Sequence, residues 1–225
     1  MTTLFRDRVQ AGQLLGEALS KYANRHDVLV LGLPRGGIPL AFEVAKALKA
    51  PLDVFIVRKL GVPGYPELAM GAIATGGVRV LNEEVLQTLR LPEQDIEAVA
   101  EEEGRELKRR ELAYRGHGAS PEIRDRTVIL IDDGVATGST MRAAVRALRK
   151  QSPARLIVAV PTAAPSTYHH LSQEVDEMIA LMTPEDFQAV GQWYEDFSQT
   201  TDAEVTHLLE QAHHESNSRV RSEGP

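Results

Sequence analysis

The sequence lacks cysteine and has no surplus of basic residues. Its 225 residues include no Cys, 25 Lys and Arg, and 32 Asp and Glu, so the formal net charge is −7. Without a thiol, disulfide scaffolds, thiolate zinc sites, iron–sulfur clusters and cysteine nucleophiles are excluded. The acidic balance argues against broad electrostatic binding to nucleic acid or to an anionic membrane. We therefore expect no nucleic-acid partner and no membrane partner, while a local basic pocket stays compatible with these counts.

Long apolar runs are also missing. The longest run, residues 28–33, is far shorter than the roughly 20 residues that a membrane helix needs. The charged residues at the start of the chain, Arg6, Asp7 and Arg8, are not followed by the apolar core of a signal peptide. We therefore expect a cytoplasmic protein. The length predicts one large domain with an ordinary hydrophobic core.

Short β-branched runs alternate with segments of helical periodicity along the chain. The predicted strands are residues 28–33, 53–57, 128–131, 156–160 and 177–181, and the predicted helices are residues 38–49, 92–114 and 139–150. Gly76 and Gly77 separate two further short runs, which predicts an antiparallel hairpin. This order predicts an α/β fold with a mainly parallel sheet flanked by helices. Residues 211–225 are polar and aperiodic, so we expect a disordered tail.

One predicted helix, residues 92–114, is densely charged. It carries three glutamates at positions 101–103 and the basic residues Lys108, Arg109 and Arg110. Residues three and four apart on a helix can pair, and glutamate placed ahead of lysine suits the helix dipole. We interpret both charged runs as a solvated helix face and assign no ligand to the basic triplet.

The predicted strand 128–131 ends in two adjacent acids and leads into a helix. Ligands of open α/β sheets gather at the carboxyl ends of strands, so Asp132 and Asp133 face the expected crevice. Two neighbouring carboxylates can accept hydrogen bonds from the vicinal hydroxyls of a ribose. The small residues, hydroxyls and free N–H groups that follow suit a phosphate monoester. The segment therefore predicts a ribose 5-phosphate site, made of Asp132, Asp133, Gly134, Val135, Ala136, Thr137, Gly138, Ser139 and Thr140.

A simpler interpretation of this segment is that Ser139 and Thr140 cap the helix and the aspartates are turn residues. Capping accounts for one hydroxyl and leaves the other polar groups unexplained. Other phosphate-binding motifs do not occur, because the chain has neither G-x-x-x-x-G-K-[ST] nor G-x-G-x-x-G after a strand. The ribose 5-phosphate interpretation is therefore preferred.

Two further segments carry cations next to chain-breaking residues. Pro34, Arg35, Gly36 and Gly37 follow the first predicted strand, where glycine N–H groups and a guanidinium suit a second anion. A tight turn with a surface arginine explains that segment equally well. Arg58 and Lys59 end the second predicted strand ahead of Gly61, Pro63, Gly64 and Pro66, which predict a mobile loop. Both basic residues can also be ordinary charges at a strand end.

Residues 128–140 resemble the signature of type I phosphoribosyltransferases, with four apolar residues, two acids and a small, hydroxyl-rich loop. Gly134 departs from that signature, which more often has an aliphatic residue or serine there. Residues 58–61, 67–71 and 187–194 extend the resemblance to a bacterial subfamily of predicted phosphoribosyltransferases. The resemblance implies the type I fold over residues 1–210. It also implies a small hood from about residues 1–25 and 162–205, and a flexible loop and hairpin.

The resemblance also implies an activity. It is the transfer of 5-phosphoribosyl from 5-phosphoribosyl 1-diphosphate (PRPP) to a nitrogen acceptor, releasing diphosphate, in nucleotide metabolism. Asp132 and Asp133 are expected to orient the ribose, and Asp133 to assist proton removal. Arg35 and Lys59 are expected to neutralise the diphosphate, which the 34–37 loop binds, often through a non-proline cis peptide. Mg²⁺ is expected to be held mainly through the diphosphate and ribose hydroxyls, and a homodimer is common in the family.

The acceptor is expected to be a nucleobase, with a purine preferred. Phe187 and Trp193 belong to an aromatic cluster in the hood that can stack on a base, although core packing of these rings is the stronger alternative. A regulatory protein that senses PRPP or a nucleotide without turnover is a different functional class. An enzyme that hydrolyses the donor is a third. The two acids, Arg35, Lys59 and the expected loop favour the transferase.

Overall fold

The computed structural model describes residues 4–116, 118 and 120–222. Its strands are β1 (Val28–Gly32), β2 (Leu52–Val54), β3 (Val57–Val62), β4 (Tyr65–Ala74), β5 (Val78–Leu81), β6 (Thr127–Ile131), β7 (Arg155–Thr162) and β8 (Glu177–Met182). Its α-helices are α1 (Arg8–Ala18), α2 (Gly37–Leu48), α3 (Glu83–Leu89), α4 (Glu93–Arg115), α5 (Ser139–Arg149), α6 (Pro165–Glu174) and α7 (Asp202–Ser222). None of these helices is both long and apolar enough to cross a membrane within the described residues.

Five parallel strands form the main sheet, in the order β2-β1-β6-β7-β8. Every residue of β1 and β6 is buried, because helices cover both faces of the sheet. Alternate residues point to opposite faces, so Val28 and Val30 pack on one side while Leu29 and Leu31 pack on the other. Helices α1, α2 and α7 cover the first side, and α5 and α6 cover the second. The predicted parallel sheet is confirmed.

A second, three-stranded antiparallel sheet contains β3, β4 and β5. The predicted hairpin is present between β4 and β5, and Gly76 and Gly77 both have positive φ, as a tight primed turn requires. The prediction of one strand over residues 53–57 is wrong. The chain leaves the main sheet after Val54 and enters the small sheet at Val57, because Ile56 donates its N–H to the Thr75 hydroxyl (2.9 Å) instead of extending β2.

The region predicted as a mobile loop is also mainly strand. Only Pro63 and Gly64 form a turn, and β3 and β4 pair on either side of it with a register shift near Gly61. The expectation of a disordered tail from residue 211 is also wrong, since α7 continues to Ser222. Leu208, Leu209 and Ala212 pack against the core and carry the helix past that point. Residues 223–225 of the tail and residues 1–3 of the hood lie outside the described residues.

A buried ion pair fixes α4 to the main sheet. The Arg115 guanidinium, at the end of α4, donates to the Asp53 carboxylate of β2 (Nε to Oδ1, 2.6 Å) and to the Val54 carbonyl. Only 3% of the Arg115 side chain and 10% of the Asp53 side chain are exposed. Burial raises the pKa of Asp53, and the Arg115 charge opposes that rise. The last turns of α4 are therefore held beside the strand ends that carry the candidate site.

Removing the arginine from this pair should destabilise the protein strongly. Arg115→Met leaves the Asp53 carboxylate buried without its cation, which costs about 3–5 kcal/mol. Urea unfolding followed by circular dichroism measures the free energy of unfolding. Arg149→Met is the matched control, since Arg149 pairs with Asp176 at 2.9 Å in a pair exposed by more than a third. Its loss should cost about 1 kcal/mol or less. Equal losses in the two variants would contradict this role.

Candidate functional site

The ends of β1 and β6 meet at the candidate site. Leu33 donates its N–H to the Ile131 carbonyl (2.9 Å), which joins the two strand ends. A side chain at Gly36 would overlap the Asp133 carboxylate, and a Cβ at Gly37 would lie 2.6 Å from the Ile131 carbonyl oxygen. Glycine is therefore needed at both positions for the two loops to touch. The Pro34–Arg35 peptide is cis, as the resemblance implies.

The two acids that follow β6 lie in a poorly solvated environment. The Asp133 N–H donates to Asp132 Oδ1 (2.9 Å). Burial, followed by the charge of Asp133, raises the pKa of Asp132 well above its ordinary value. Burial also raises the pKa of Asp133, and the guanidinium of Arg8 opposes that rise. The Arg8 guanidinium therefore contacts the Asp133 carboxylate directly and acts on Asp132 only through its charge.

Arg8 is a site residue that the sequence analysis did not identify. Its Nε and Nη2 donate to Asp133 Oδ2 at 2.9 and 2.8 Å, and its Nη1 donates to the Ser198 carbonyl at 2.6 Å. The guanidinium also lies 4.0 Å from the centre of the Phe197 ring. Only 12% of the Arg8 side chain and 15% of the Asp133 side chain are exposed. The Arg8 side chain therefore covers one side of the Asp133 carboxylate.

The hood aromatics pack mainly on one another. The Trp193 ring lies 6.2 Å from the Phe187 ring, and only 7% of Trp193 is exposed. The Tyr194 hydroxyl donates to the Asp133 carbonyl (2.6 Å), and burial raises the pKa of Tyr194. This placement favours the core-packing alternative for Trp193. Phe187 is half-buried against the same core.

The predicted phosphate loop lies at the start of α5. Val135 is held by backbone hydrogen bonds to Thr162 (2.9 Å) and Ala164 (3.0 Å), and Ala136 accepts from the Thr167 hydroxyl (2.6 Å). The N-cap of α5 is Gly138, which has no side chain to cap the helix. The first N–H groups of α5 therefore stay available to an anion. The hydroxyls of Thr137 and Ser139 lie 3.4 Å apart at the exposed rim of this loop.

The predicted cations are dispersed. Arg58 pairs with Glu103 of α4 (2.6 Å), and Lys59 lies 3.6 Å from the Glu67 carboxylate within the small sheet. Within the described residues, no hydrogen bond or ion pair links either of them to Asp132 or Asp133. The assignment of Lys59 to a leaving group therefore stays a prediction. Arg35 follows the cis peptide and lines a cavity beside α4.

The sequence does contain a signal for Arg8. Asp7 caps α1 by accepting from the Gln10 N–H (2.7 Å), which makes Arg8 the first helical residue. A cation is unfavourable at that end of a helix dipole, so an arginine there indicates another partner. Tyr194 lay within the aromatic cluster, but nothing in its spacing indicates a hydrogen bond to the acid loop.

Replacing Arg8 should change the ionisation of Asp133. Arg8→Gln removes a cation that favours the carboxylate, so the pKa of Asp133 should rise further above its ordinary value. The carboxylate would then ionise only at higher pH. Carbon-13 NMR of aspartate carboxyls across a pH series measures this, with Asp133→Asn identifying the resonance. Arg6→Gln is the control, because Arg6 pairs with Asp7 and is 62% exposed. An Asp133 titration equal in wild type and Arg8→Gln would contradict the assignment.

Comparisons with known proteins are consistent with this arrangement. The family described as "Phosphoribosyl transferase domain" matches residues 8–196. Two curated relatives from Mycobacterium tuberculosis, each named "Putative phosphoribosyl transferase", are 44% identical over 210 residues. That alignment covers 93% of this chain and 47% of each relative, so the chain spans about half their length. TT1426 from Thermus thermophilus, whose crystal structure is known, is 42% identical in sequence to this chain, and the two structures superpose with a TM-score of 0.82. The alignment covers 93% of this chain and 99% of TT1426.

Proposed function

Because this chain belongs to the phosphoribosyl transferase family, we propose that it transfers 5-phosphoribosyl from PRPP to a nitrogen acceptor and releases diphosphate. Its α/β architecture is the type I phosphoribosyltransferase fold. The activity, the substrates and the partners of the whole protein are part of the proposal. The observation that supports this proposal most strongly is the position of the half-buried Asp132–Asp133 pair. The pair lies between the glycines of the β1 loop and the start of α5, which has no side-chain cap.

The proposed donor site follows from that position. The ribose hydroxyls donate to the free carboxylate oxygens of Asp132 and Asp133. The 5-phosphate accepts from the first N–H groups of α5 and from the hydroxyls of Thr137, Ser139 and Thr140. The diphosphate lies toward Arg35, Gly36 and Gly37 at the end of β1. The backbone of Gly134, Val135, Ala136 and Gly138 shapes the loop between the ribose and the phosphate.

The proposed chemistry needs no protein nucleophile. Breaking the bond between ribose and diphosphate builds positive charge on the sugar and negative charge on the leaving group. The protein contributes by holding donor and acceptor in line and by stabilising the leaving anion. Asp133 accepts the proton that the acceptor nitrogen loses. Arg8 holds that carboxylate in place, and Tyr194 holds the Asp133 backbone through its carbonyl. Closure of the hood against Asp133 limits the access of water to the reacting carbon.

The residues present fit a magnesium ion that arrives with the donor. Within the described residues, no group of three or more acidic or histidine side chains could hold a metal by itself. Mg²⁺ is compatible with few protein ligands when substrate phosphate oxygens and water complete its shell. We propose that diphosphate and ribose hydroxyl oxygens hold the ion, which neutralises the leaving group when bound. Asp132 and Asp133 then accept hydrogen bonds from those hydroxyls.

We propose that the hood binds the acceptor. We propose that the acceptor is a nucleobase, with a purine preferred, and that Phe187 stacks on it. Trp193 is too deeply buried to offer a ring face to a base. Phe197 is more exposed, but the Arg8 guanidinium covers one face of its ring. The cytoplasmic location and the homodimer that the resemblance implies stay predictions.

A panel of acceptors tests the proposed activity. Purified protein is incubated with PRPP, Mg²⁺ and individual purine, pyrimidine and pyridine bases while diphosphate release is followed. We expect release that depends on one base, with formation of the matching nucleotide measured by chromatography. Release without any base would indicate a donor hydrolase. Donor binding without release would indicate a sensor, and either result would overturn the transferase.

Neutralising the acid pair should weaken donor binding. The double variant Asp132→Asn, Asp133→Asn keeps the shape of both side chains but weakens their hydrogen bonds to the ribose hydroxyls. Charged hydrogen bonds contribute about 1.5–3 kcal/mol each, so PRPP affinity should fall more than about tenfold. Calorimetry with Mg²⁺ measures it. Asp196→Asn is the control, since Asp196 is exposed in the hood. Unchanged affinity in the double variant would contradict the ribose assignment.

A further inference from the structure

A cavity of about 220 Å³ beside the β1 loop is lined by three arginines. Its lining residues are Arg35, Arg109, Arg110, Ala113, Tyr114 and Asp202, and we call it the arginine cavity. It joins the loop at the end of β1 to the last turns of α4 and the first residue of α7. The basic triplet that was interpreted as a solvated helix face therefore contributes two of its three residues to a pocket.

The charges around this cavity are incompletely balanced. Glu106 accepts from both Arg109 (2.7 and 2.9 Å) and Arg110 (2.9 Å), and this sharing lowers the pKa of Glu106 to about 2. Asp202 accepts from the Tyr114 hydroxyl at 2.6 Å. Three arginines thus face two carboxylates, which leaves one positive charge in excess.

Arg35 carries that excess. It is half-buried, and within the described residues its guanidinium has no hydrogen bond or ion pair. Burying part of a guanidinium without a partner is unfavourable, and two further arginines nearby increase the penalty. A bound anion relieves both effects. One guanidinium can donate two parallel hydrogen bonds to the oxygens of a phosphate group, so phosphate groups suit this cavity.

The position of the cavity indicates which phosphate groups it takes. Arg35 directly precedes Gly36, and the Gly36 backbone packs against the Asp133 carboxylate. A molecule whose ribose contacts Asp133 can therefore direct an adjacent diphosphate toward Arg35. The Arg115–Asp53 pair fixes the end of α4, so the segment of α4 that carries Arg109 and Arg110 is held beside this cavity.

We propose that Arg109 and Arg110 of α4 act with Arg35 in binding a diphosphate group in the arginine cavity. This inference rests on the proposed function for the identity of the donor, but not for binding of the anion itself. In this proposal the arginines of α4 neutralise the diphosphate, which is the role that was expected of Lys59 on the small sheet. The shared chemistry is a diphosphate anion, which is either the leaving group of the donor or a free diphosphate.

Binding of inorganic diphosphate tests the proposal without any turnover. Calorimetry with Mg²⁺ compares wild type with the double variant Arg109→Gln, Arg110→Gln. Losing two charged contacts should weaken diphosphate binding about tenfold or more. Arg105→Gln is the matched control, because Arg105 is an exposed arginine of α4 outside the cavity. The control should bind as wild type does.

Two results would overturn the proposal: no diphosphate binding by wild type, or equal affinity in wild type and the double variant. Arg109 is 66% exposed, so Arg109→Gln alone is a second variant that should fold normally and still lose affinity. Near-ultraviolet circular dichroism checks the fold of each variant. Arg35→Gln should weaken binding as well, and unchanged affinity there would also count against the cavity.

Competition identifies the source of the anion. If saturating PRPP displaces inorganic diphosphate, the cavity holds the diphosphate of the donor, as proposed. If both bind together, the cavity is a separate phosphate site and the donor assignment is wrong. The acceptor panel reports on transfer independently. A protein that binds diphosphate through Arg109 and Arg110 but transfers to no base would retain this inference and lose the proposed function.

Discussion

Two neighbouring, largely desolvated carboxylates at the end of β6 are the constraint on which the rest of the site depends. A buried carboxylate is stable only when hydrogen bonds or an opposite charge replace its lost water. Asp132 accepts from the Asp133 N–H, while Asp133 has the guanidinium of Arg8. The hood supplies that cation. Phe5 donates its N–H to the Trp193 carbonyl (2.9 Å), which attaches the N-terminal part of the hood to its C-terminal part and places Arg8 near the acids. A change in the hood that moved α1 would therefore alter the charge balance at the two acids.

The net charge of −7 coexists with a local concentration of arginines around the strand ends. Arg8 lies on the hood side of the acids, and Arg35, Arg109 and Arg110 lie on the α4 side. Because fields from exposed charges are screened within about 10 Å at moderate salt, a compact anion responds to these nearby groups. The net negative charge of the whole chain mainly disfavours the binding of extended polyanions.

The sequence by itself determined the elements whose signals are local. Apolar runs indicated β1 and β6, paired glycines indicated the β4–β5 turn, and two acids followed by a small, hydroxyl-rich segment indicated the end of β6. Local signals also misled: the apolar run at residues 53–57 hid the passage between two sheets, and the polar residues after 210 hid the continuation of α7. Each error arose because the end of an element depends on the strands it pairs with and the residues it packs against. The periodicity of a sequence does not specify those partners.

Only the tertiary structure decided which charges meet. Arg8 and Asp133 are 125 positions apart. Arg35 lines the same cavity as Arg109 and Arg110, beside the end of α4 that the Arg115–Asp53 pair ties to β2. Spacing along a chain predicts contacts within one helix or one hairpin, because those neighbours are fixed by the period of the element. Contacts between distant segments depend on how the layers pack. For that reason the sequence identified the acids and Arg35, and the fold identified Arg8, Arg109 and Arg110.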